Sequence, residues 1–96
     1  MNIKLKNEDE FRVQIFKALA DETRLEIVRL LRDSKKELSC GEIGDRVDMS
    51  KSTVSYHFKT LREAGLTTTR KDARTKYVQL RMETFEHYLP GFLDSL

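Results

Sequence analysis

Four polar side chains at helical spacing have the chemistry needed to read a DNA sequence. Ser52, Ser55, Tyr56 and Lys59 fall on one face of a helix that contains neither glycine nor proline. Each of them donates or accepts hydrogen bonds, and only the lysine is long. A helix with short polar side chains on its outer face can bring its backbone close to base edges. The pattern therefore predicts a recognition helix.

The opposite face of the same segment is apolar, as packing on a core requires. Val54, Phe58 and Leu61 form one stripe at about 100° per residue. Ser50 can cap the start of this helix, and Gly65 can adopt the left-handed conformation that ends it. We therefore expect one continuous helix between these two residues.

A second, shorter helix precedes the predicted recognition helix. Ser39 and Glu42 have the spacing of a capping box, and Ile43 would face inward. Asp48 lies where a tight turn needs positive φ, which aspartate tolerates better than most residues. This spacing predicts a helix-turn-helix over about 39–64, and the alternative is an ordinary helical hairpin with a polar outer face.

A β-hairpin is predicted after the recognition helix, over about 66–81. Both flanks are rich in β-branched and aromatic residues, and Val78, Leu80 and Met82 alternate toward the core. Hairpin tips favour glycine or asparagine where φ is positive, and Ala73 is neither, so we expect a turn of three or four residues or a mobile tip. Basic side chains then cluster on a projecting wing, where they can contact phosphates: Arg70, Lys71, Arg74 and Lys76.

Positive charge is concentrated in this same region. Residues 50–81 hold eight of the 18 lysine and arginine residues but two of the 16 acidic residues, a formal charge of +6. The rest of the chain carries −4, which gives the net charge of +2. A basic patch confined to one structural unit predicts a polyanionic partner, here double-stranded DNA.

Length and composition indicate one small domain over 1–96. The chain is 39% hydrophobic with mean hydropathy −0.58, and its first ten residues lack the apolar run of a secretory signal. The single cysteine excludes an internal disulfide and fits a reducing cytoplasm, where we expect the protein. Without a phosphate-binding glycine loop, a nucleophile–base set or a metal motif, we expect no enzymatic activity, no cofactor and no membrane partner.

Apolar residues at both ends of the chain exceed what a small core needs. Helices are predicted over about 8–20 and 83–96, and Pro90-Gly91 predicts a kink or two short helices in the second. Apolar residues lie on two sides of the first helix, which therefore needs a second partner. We expect a homodimer, with these interface residues: Phe11, Ile15, Phe16, Leu19, Phe85, Tyr88, Leu89, Phe92, Leu93 and Leu96.

Residues 18–27 read Ala-Leu-Ala-Asp-Glu-Thr-Arg-Leu-Glu-Ile, and 49–66 read Met-Ser-Lys-Ser-Thr-Val-Ser-Tyr-His-Phe-Lys-Thr-Leu-Arg-Glu-Ala-Gly-Leu. Both closely resemble the ArsR/SmtB family of bacterial winged-helix repressors, over about 11–82. The resemblance implies a mainly α fold of four helices, a β-hairpin wing and a fifth helix. It also implies a homodimer, joined through the first and last helices, that represses transcription from a palindromic operator. The predicted DNA contacts are Lys51, Ser52, Thr53, Ser55, Tyr56, His57, Lys59, Arg70, Lys71, Arg74 and Lys76.

The chain departs from this family at its metal sites. Many members carry Glu-Leu-Cys-Val-Cys-Asp-Leu where this chain has Glu-Leu-Ser-Cys-Gly-Glu-Ile over 37–43, so Ser39 and Gly41 replace both thiolates. The zinc-site spacing of the last helix is also missing. Glu83 and His87, four residues apart, are expected to form a surface ion pair, with half a metal site as the alternative. We expect a regulator that is not a standard metal sensor.

Cys40 leaves open which chemical signal the regulator responds to. At the first turn of a helix its thiol can be acidified and reactive, and the alternative is a small, partly buried residue without a redox role. Other functions that remain open are a ligand-, thiol- or metal-responsive sensor that uses Cys40 or His87, and a winged helix that binds a protein partner. The sequence does not identify an inducer.

Overall fold

The computed structural model describes the backbone of residues 3–34 and 36–96 and the side chains of 7–34 and 36–96. Residues 1, 2 and 35 of the predicted domain lie outside the described residues. The elements are α1 (Ile3–Leu19), α2 (Glu22–Asp33), β1 (Leu38–Ser39), α3 (Cys40–Val47), α4 (Lys51–Glu63), β2 (Thr67–Asp72), β3 (Thr75–Leu80), α5 (Met82–Tyr88) and α6 (Phe92–Ser95). This architecture confirms the predicted winged helix-turn-helix, with six helices instead of five among the described residues.

Capping side chains and residues with positive φ define the ends of α3 and α4. The Ser39 hydroxyl accepts the backbone N–H of Glu42, whose carboxylate accepts the backbone N–H of Ser39, so the predicted capping box is confirmed. Asp48 has φ +51 in the turn. Ser50 caps α4, and Gly65 ends it with φ +76. The turn between α3 and α4 is therefore fixed at both sides.

The core confirms the predicted inward stripe of α4. Val54, Phe58 and Leu61 are buried where α4 packs on α2, α3 and the sheet. The other buried apolar residues are Ile15, Ala18, Leu19, Ile27, Val28, Leu31, Leu38, Ile43, Ala64, Leu66, Val78 and Phe85. Met82 was predicted to point inward but is exposed, because it begins α5 instead of continuing β3.

The sheet has one strand more than the predicted hairpin. Its order is β1-β3-β2, all antiparallel, with Leu38 opposite Val78. Asp72 pairs with Thr75, so the hairpin tip has two residues, and the predicted three- or four-residue turn is wrong. The tight turn forms because Ala73 takes the left-handed conformation, with φ +55.

The last helix is divided, as the proline and glycine predicted. Pro90 and Gly91 separate α5 from α6, and Gly91 has φ +83. The guanidinium of Arg32 in α2 donates to the carbonyls of Leu93 and Leu96, at 2.7 and 2.6 Å. These bonds hold α6 against α2. Within the described part of the chain, no helix is both long and apolar enough to cross a membrane.

Candidate nucleic-acid interface

The outer surface of α4 is polar and accessible along its length. Ser52, Ser55, Tyr56 and Lys59 are all exposed, opposite the buried apolar stripe. Tyr56 is 61% exposed, so its ring and hydroxyl project from the protein. Lys51 is exposed at the first turn. The helix thus presents short hydrogen-bonding groups and two cations on one side.

Thr53 is part of the cap of α4 as well as its surface. Its hydroxyl lies 2.7 Å from that of Ser50, and its backbone N–H donates to the same serine oxygen at 3.3 Å. The Thr53 side chain is exposed, but its hydroxyl already has a partner within the helix. The residue therefore fixes the first turn.

The register of the wing divides its cations between two faces. Cross-strand partners share a face, and Lys71 pairs with Lys76, two residues beyond the pair of Thr69 with Val78. Val78 is buried, so both lysines lie on the face turned toward the helices. Arg70 pairs with Tyr77 and belongs to the opposite face.

An open groove of about 1010 Å³ runs between α3, α4 and the wing. The cations among its lining residues are Lys51, Lys59, Arg62, Lys71, Arg74 and Lys76. Among the described residues that line the groove, Asp45 of α3 is the one acidic residue. The groove brings the cations of helix and wing to one concave surface. Arg62 is not among the contacts predicted from the sequence, although it lies one turn beyond Lys59 and within the basic segment 50–81.

Arg70, also predicted as a DNA contact, does not line this groove. Its guanidinium binds Glu37 through two donors, with Nη2 2.7 Å from Oε1 and Nε 3.1 Å from Oε2. It also lies 4.8 Å from the centroid of the Tyr77 ring. The bond from Arg70 holds the pKa of the Glu37 carboxyl below its ordinary value. Arg70 therefore joins the outer face of the wing to the segment before β1.

His57, also predicted as a DNA contact, is buried and does not lie on the outer face of α4. It is 7% exposed, and its Nδ1 lies 3.0 Å from a guanidinium nitrogen of Arg24 in α2. The direction of the side chain explains this burial, because position 57 lies beside the apolar stripe of α4 and not on its outer face.

Cys40 lies in the wall of the groove, half-buried, at the start of α3. Burial raises the pKa of its thiol above the ordinary value, although Lys76 and Arg62 partly oppose this shift. The thiol is therefore not acidified by the helix start. This favours the interpretation of Cys40 as a partly buried residue.

The described residues contain no group of three or more His, Cys, Asp or Glu side chains placed to bind a metal ion. The expected ion pair of Glu83 with His87 is wrong. Glu83 pairs with Arg81 at 2.9 Å, and His87 Nε2 lies 3.8 Å from Glu8. Glu83 and His87 therefore each have a charged neighbour that is nearer than the other.

The predicted interface residues divide into a buried, an exposed and a partly buried set. Ile15, Leu19 and Phe85 are packed inside the protomer, so little of their surface is accessible to a second protomer. Phe11 and Phe16 of α1 are each 56% exposed. The remaining five are partly buried against the core: Tyr88, Leu89, Phe92, Leu93 and Leu96.

Comparison with known proteins places this geometry among transcriptional regulators. A family model described as a helix-turn-helix domain matches residues 19–70. An uncharacterised HTH-type transcriptional regulator of Bacillus subtilis, YceK, is 66% identical over 90 residues, which are 94% of this chain and 90% of that protein. The transcriptional activator HlyU of Vibrio cholerae is 44% identical over 71% of this chain and 61% of its own length.

Two further matches have names or titles connected with the ArsR family. The arsenical resistance operon repressor of Staphylococcus xylosus is 38% identical over 85% of this chain and 76% of its own length. The homodimeric winged helix-turn-helix domain of a possible ArsR-family regulator from Mycobacterium bovis shares the fold, with a TM-score of 0.80, 23% identity, and coverage of 91% of this chain and 79% of that one. With a helix-turn-helix model over more than half of its length and relatives this similar, the chain belongs to the ArsR-type helix-turn-helix family of DNA-binding transcriptional regulators.

Proposed function

We propose that this regulator recognises a specific duplex sequence by placing α4 in the major groove. The observation that carries the proposal is the exposed polar face of α4 beside the basic groove. Ser52, Ser55 and Tyr56 would contact base edges, because they are the uncharged members of that face. Lys59 adds a longer donor that reaches a base or a phosphate.

Phosphate contacts are proposed for the cations that line the groove. Lys71, Arg74 and Lys76 project from the wing on the side of α4, and Lys51 and Arg62 extend the positive surface along the helices. These side chains would position the protein on the duplex without reading its sequence. Arg70 and His57 are left out of the contact set because Glu37 and Arg24 already hold them.

We also propose that the protein acts in the cytoplasm as a homodimeric repressor of a palindromic operator, without enzymatic activity. The support is the second apolar side of α1, where Val13 and Phe16 are 47% and 56% exposed. Such a surface on a small protein is typical of an interaction site. Two protomers related by two-fold symmetry would present two copies of α4 to two half-sites.

The groove assignment is tested by two charge-removing variants on the same strand. Lys71→Gln removes a cation from the groove face, and Arg70→Gln removes one from the outer face. We expect Lys71→Gln to weaken binding to every duplex and to lower the slope of log K against log salt by about one per protomer. Arg70→Gln should leave that slope unchanged.

Binding is measured by fluorescence anisotropy over a series of salt concentrations, with a random-sequence duplex as the probe. Circular dichroism spectra confirm that both variants are folded. Equal slope changes in the two variants would contradict the assignment, since they would show that only the total charge of the wing matters.

A further inference from the structure

One buried arginine connects three helices beneath the recognition surface. Arg24 of α2 is 9% exposed. Its Nε donates to the carbonyl of Ala18 at 2.5 Å, and its Nη2 donates to that of Lys17 at 3.4 Å. These carbonyls are in the last turn of α1 and have no partner within that helix. Nη1 lies 3.0 Å from Nδ1 of His57 in α4.

The chemistry of the guanidinium restricts which tautomer of His57 can accept its hydrogen bond. An arginine side chain has five N–H donors and no acceptor, so Nδ1 of His57 must be the acceptor. A hydrogen bond in this geometry requires the tautomer that carries its proton on Nε2. A protonated imidazole would turn an N–H toward the N–H of Arg24 and place two positive charges side by side.

From this geometry we infer that Arg24 and His57 are a positioning pair that holds α4 in register with α1 and α2, and that the pair operates only while His57 is neutral. The apolar contacts of Val54, Phe58 and Leu61 are not directional and permit small rotations of α4. The hydrogen bond to Arg24 is directional. Tyr56, whose ring lies 5.7 Å from that of His57, is the adjacent residue on the reading face.

The other charged group that acts on the pair is Asp21, the N-cap of α2. Its carboxylate accepts the backbone N–H of Arg24 at 3.0 Å, and this bond holds the pKa of Asp21 below its ordinary value. Asp21 thus stays negative and offsets part of the repulsion in a protonated pair. From α1 the pair meets backbone carbonyls, and the Lys17 side chain is exposed.

The inference rests on the proposed DNA contacts of α4, and it is tested with a duplex selected from a random library by the wild-type protein. His57→Asn keeps an acceptor near the position of Nδ1 but does not titrate. His87→Asn is the matched control, because His87 is exposed on α5 and is the second of the two histidines. Affinity for the selected duplex is measured from about pH 8 to about pH 5, the range of histidine titration.

We expect the wild type and His87→Asn to lose about tenfold in affinity for the selected duplex as the pH falls, the size of one lost charge-assisted hydrogen bond. His57→Asn should bind like the wild type at pH 8 and should not follow this decline. Arg24→Lys, which cannot make all three contacts, should weaken binding to the selected duplex at every pH and spare a random duplex. The same pH profile in His57→Asn as in the wild type would overturn the inference.

A second measurement separates this inference from the proposed function. Nitrogen NMR of the DNA-free protein reports the protonation of each imidazole nitrogen directly. We expect His57 to be neutral at pH 8, with the proton on Nε2. A proton on Nδ1 would overturn the positioning pair even if DNA binding is specific. An Nε2-bound proton without specific DNA binding would instead place the failure in the proposed contacts of α4.

Discussion

The hydroxyl groups on the outer face of α4 are the residues on which sequence recognition depends in this account. Alanine at Ser52, Ser55 or Tyr56 should each weaken binding to a selected duplex by about 1–3 kcal/mol and leave random-sequence binding nearly unchanged. The reason is that base contacts specify sequence, whereas phosphate contacts do not. Competition binding with the two duplexes measures both quantities.

Thr60→Ala is the matched control for these substitutions. The Thr60 hydroxyl is on the same helix but already donates to the carbonyl of Tyr56 at 3.0 Å. This variant should bind both duplexes like the wild type. Equal losses on selected and random DNA in the Ser52, Ser55 and Tyr56 variants would rule out direct readout by this face.

The Cys40 thiol should be slow to react at neutral pH. Burial raises its pKa, so the fraction of reactive thiolate near pH 7 is smaller than for an ordinary cysteine. Alkylation by iodoacetamide should therefore be slower in the folded protein than in denaturant at the same pH, and should accelerate as the pH rises. Mass spectrometry follows the single cysteine, and a faster reaction in the folded state would revive the thiol-sensor interpretation.

Residue types and spacing were sufficient to find the reading face but not to assign every side chain. Ser52, Ser55 and Tyr56 are exposed where periodicity placed them, whereas His57 and Arg70 are held by partners 33 residues away in sequence. No local pattern reveals that Arg24 or Glu37 would reach them. Sequence thus locates a face of an element, while tertiary contacts decide which charged groups on it are free.

Among the elements, the wing carries an identifiable strain at its tip. Ala73 has φ +55, a conformation that costs a residue with a Cβ roughly 1–2 kcal/mol. Ala73→Gly should relieve this strain and raise the free energy of unfolding by up to about 1 kcal/mol, after the larger backbone entropy of glycine in the unfolded chain is deducted. Thermal denaturation followed by circular dichroism gives the change.

The same substitution at Ala64 is the control for the Ala73 variant. Ala64 caps α4 with φ −80 and is buried, so Ala64→Gly removes packing without relieving strain and should destabilise the protein. A loss of stability in Ala73→Gly similar to that in Ala64→Gly would contradict the assignment of strain to the tip.

Long elements were predictable from the sequence, and short ones were not. Caps and periodicity give α4 within one residue of its observed end. The strand β1 has two residues and exists because Leu38 and Ser39 meet β3, which lies about forty residues further along the chain. The start of α1 at Ile3, instead of near Glu8, was also not predicted, because the apolar periodicity of this helix begins only at Phe11.

For the whole molecule, the exposed apolar side of α1 is the feature that calls for a second protomer. Phe16→Glu should convert a dimer into monomers, because a charge at a buried interface is costly to desolvate. Gln14→Glu adds the same charge to an exposed position of the same helix and should leave the dimer intact. Sedimentation velocity distinguishes the two states, and an unchanged dimer in Phe16→Glu would exclude this side of α1 from the interface.

Sequence periodicity showed that α1 is apolar on two sides but not which residues the protomer itself would bury. Ile15 and Leu19 lie in the core, whereas Phe16 is left at the surface. That division depends on where α1 packs on α2 and α4, which is a property of the assembled molecule.

The central claim is that this protein reads a defined duplex sequence through α4 and the groove beside it. Its most direct test is repeated selection from a random duplex library by the wild-type protein, followed by sequencing and competition binding. We expect one enriched motif with two-fold symmetry and half-sites about one helical turn apart, bound at least about 10³ times more tightly than random DNA. A selected pool without a common motif, or one that random DNA competes with equally, would contradict the account.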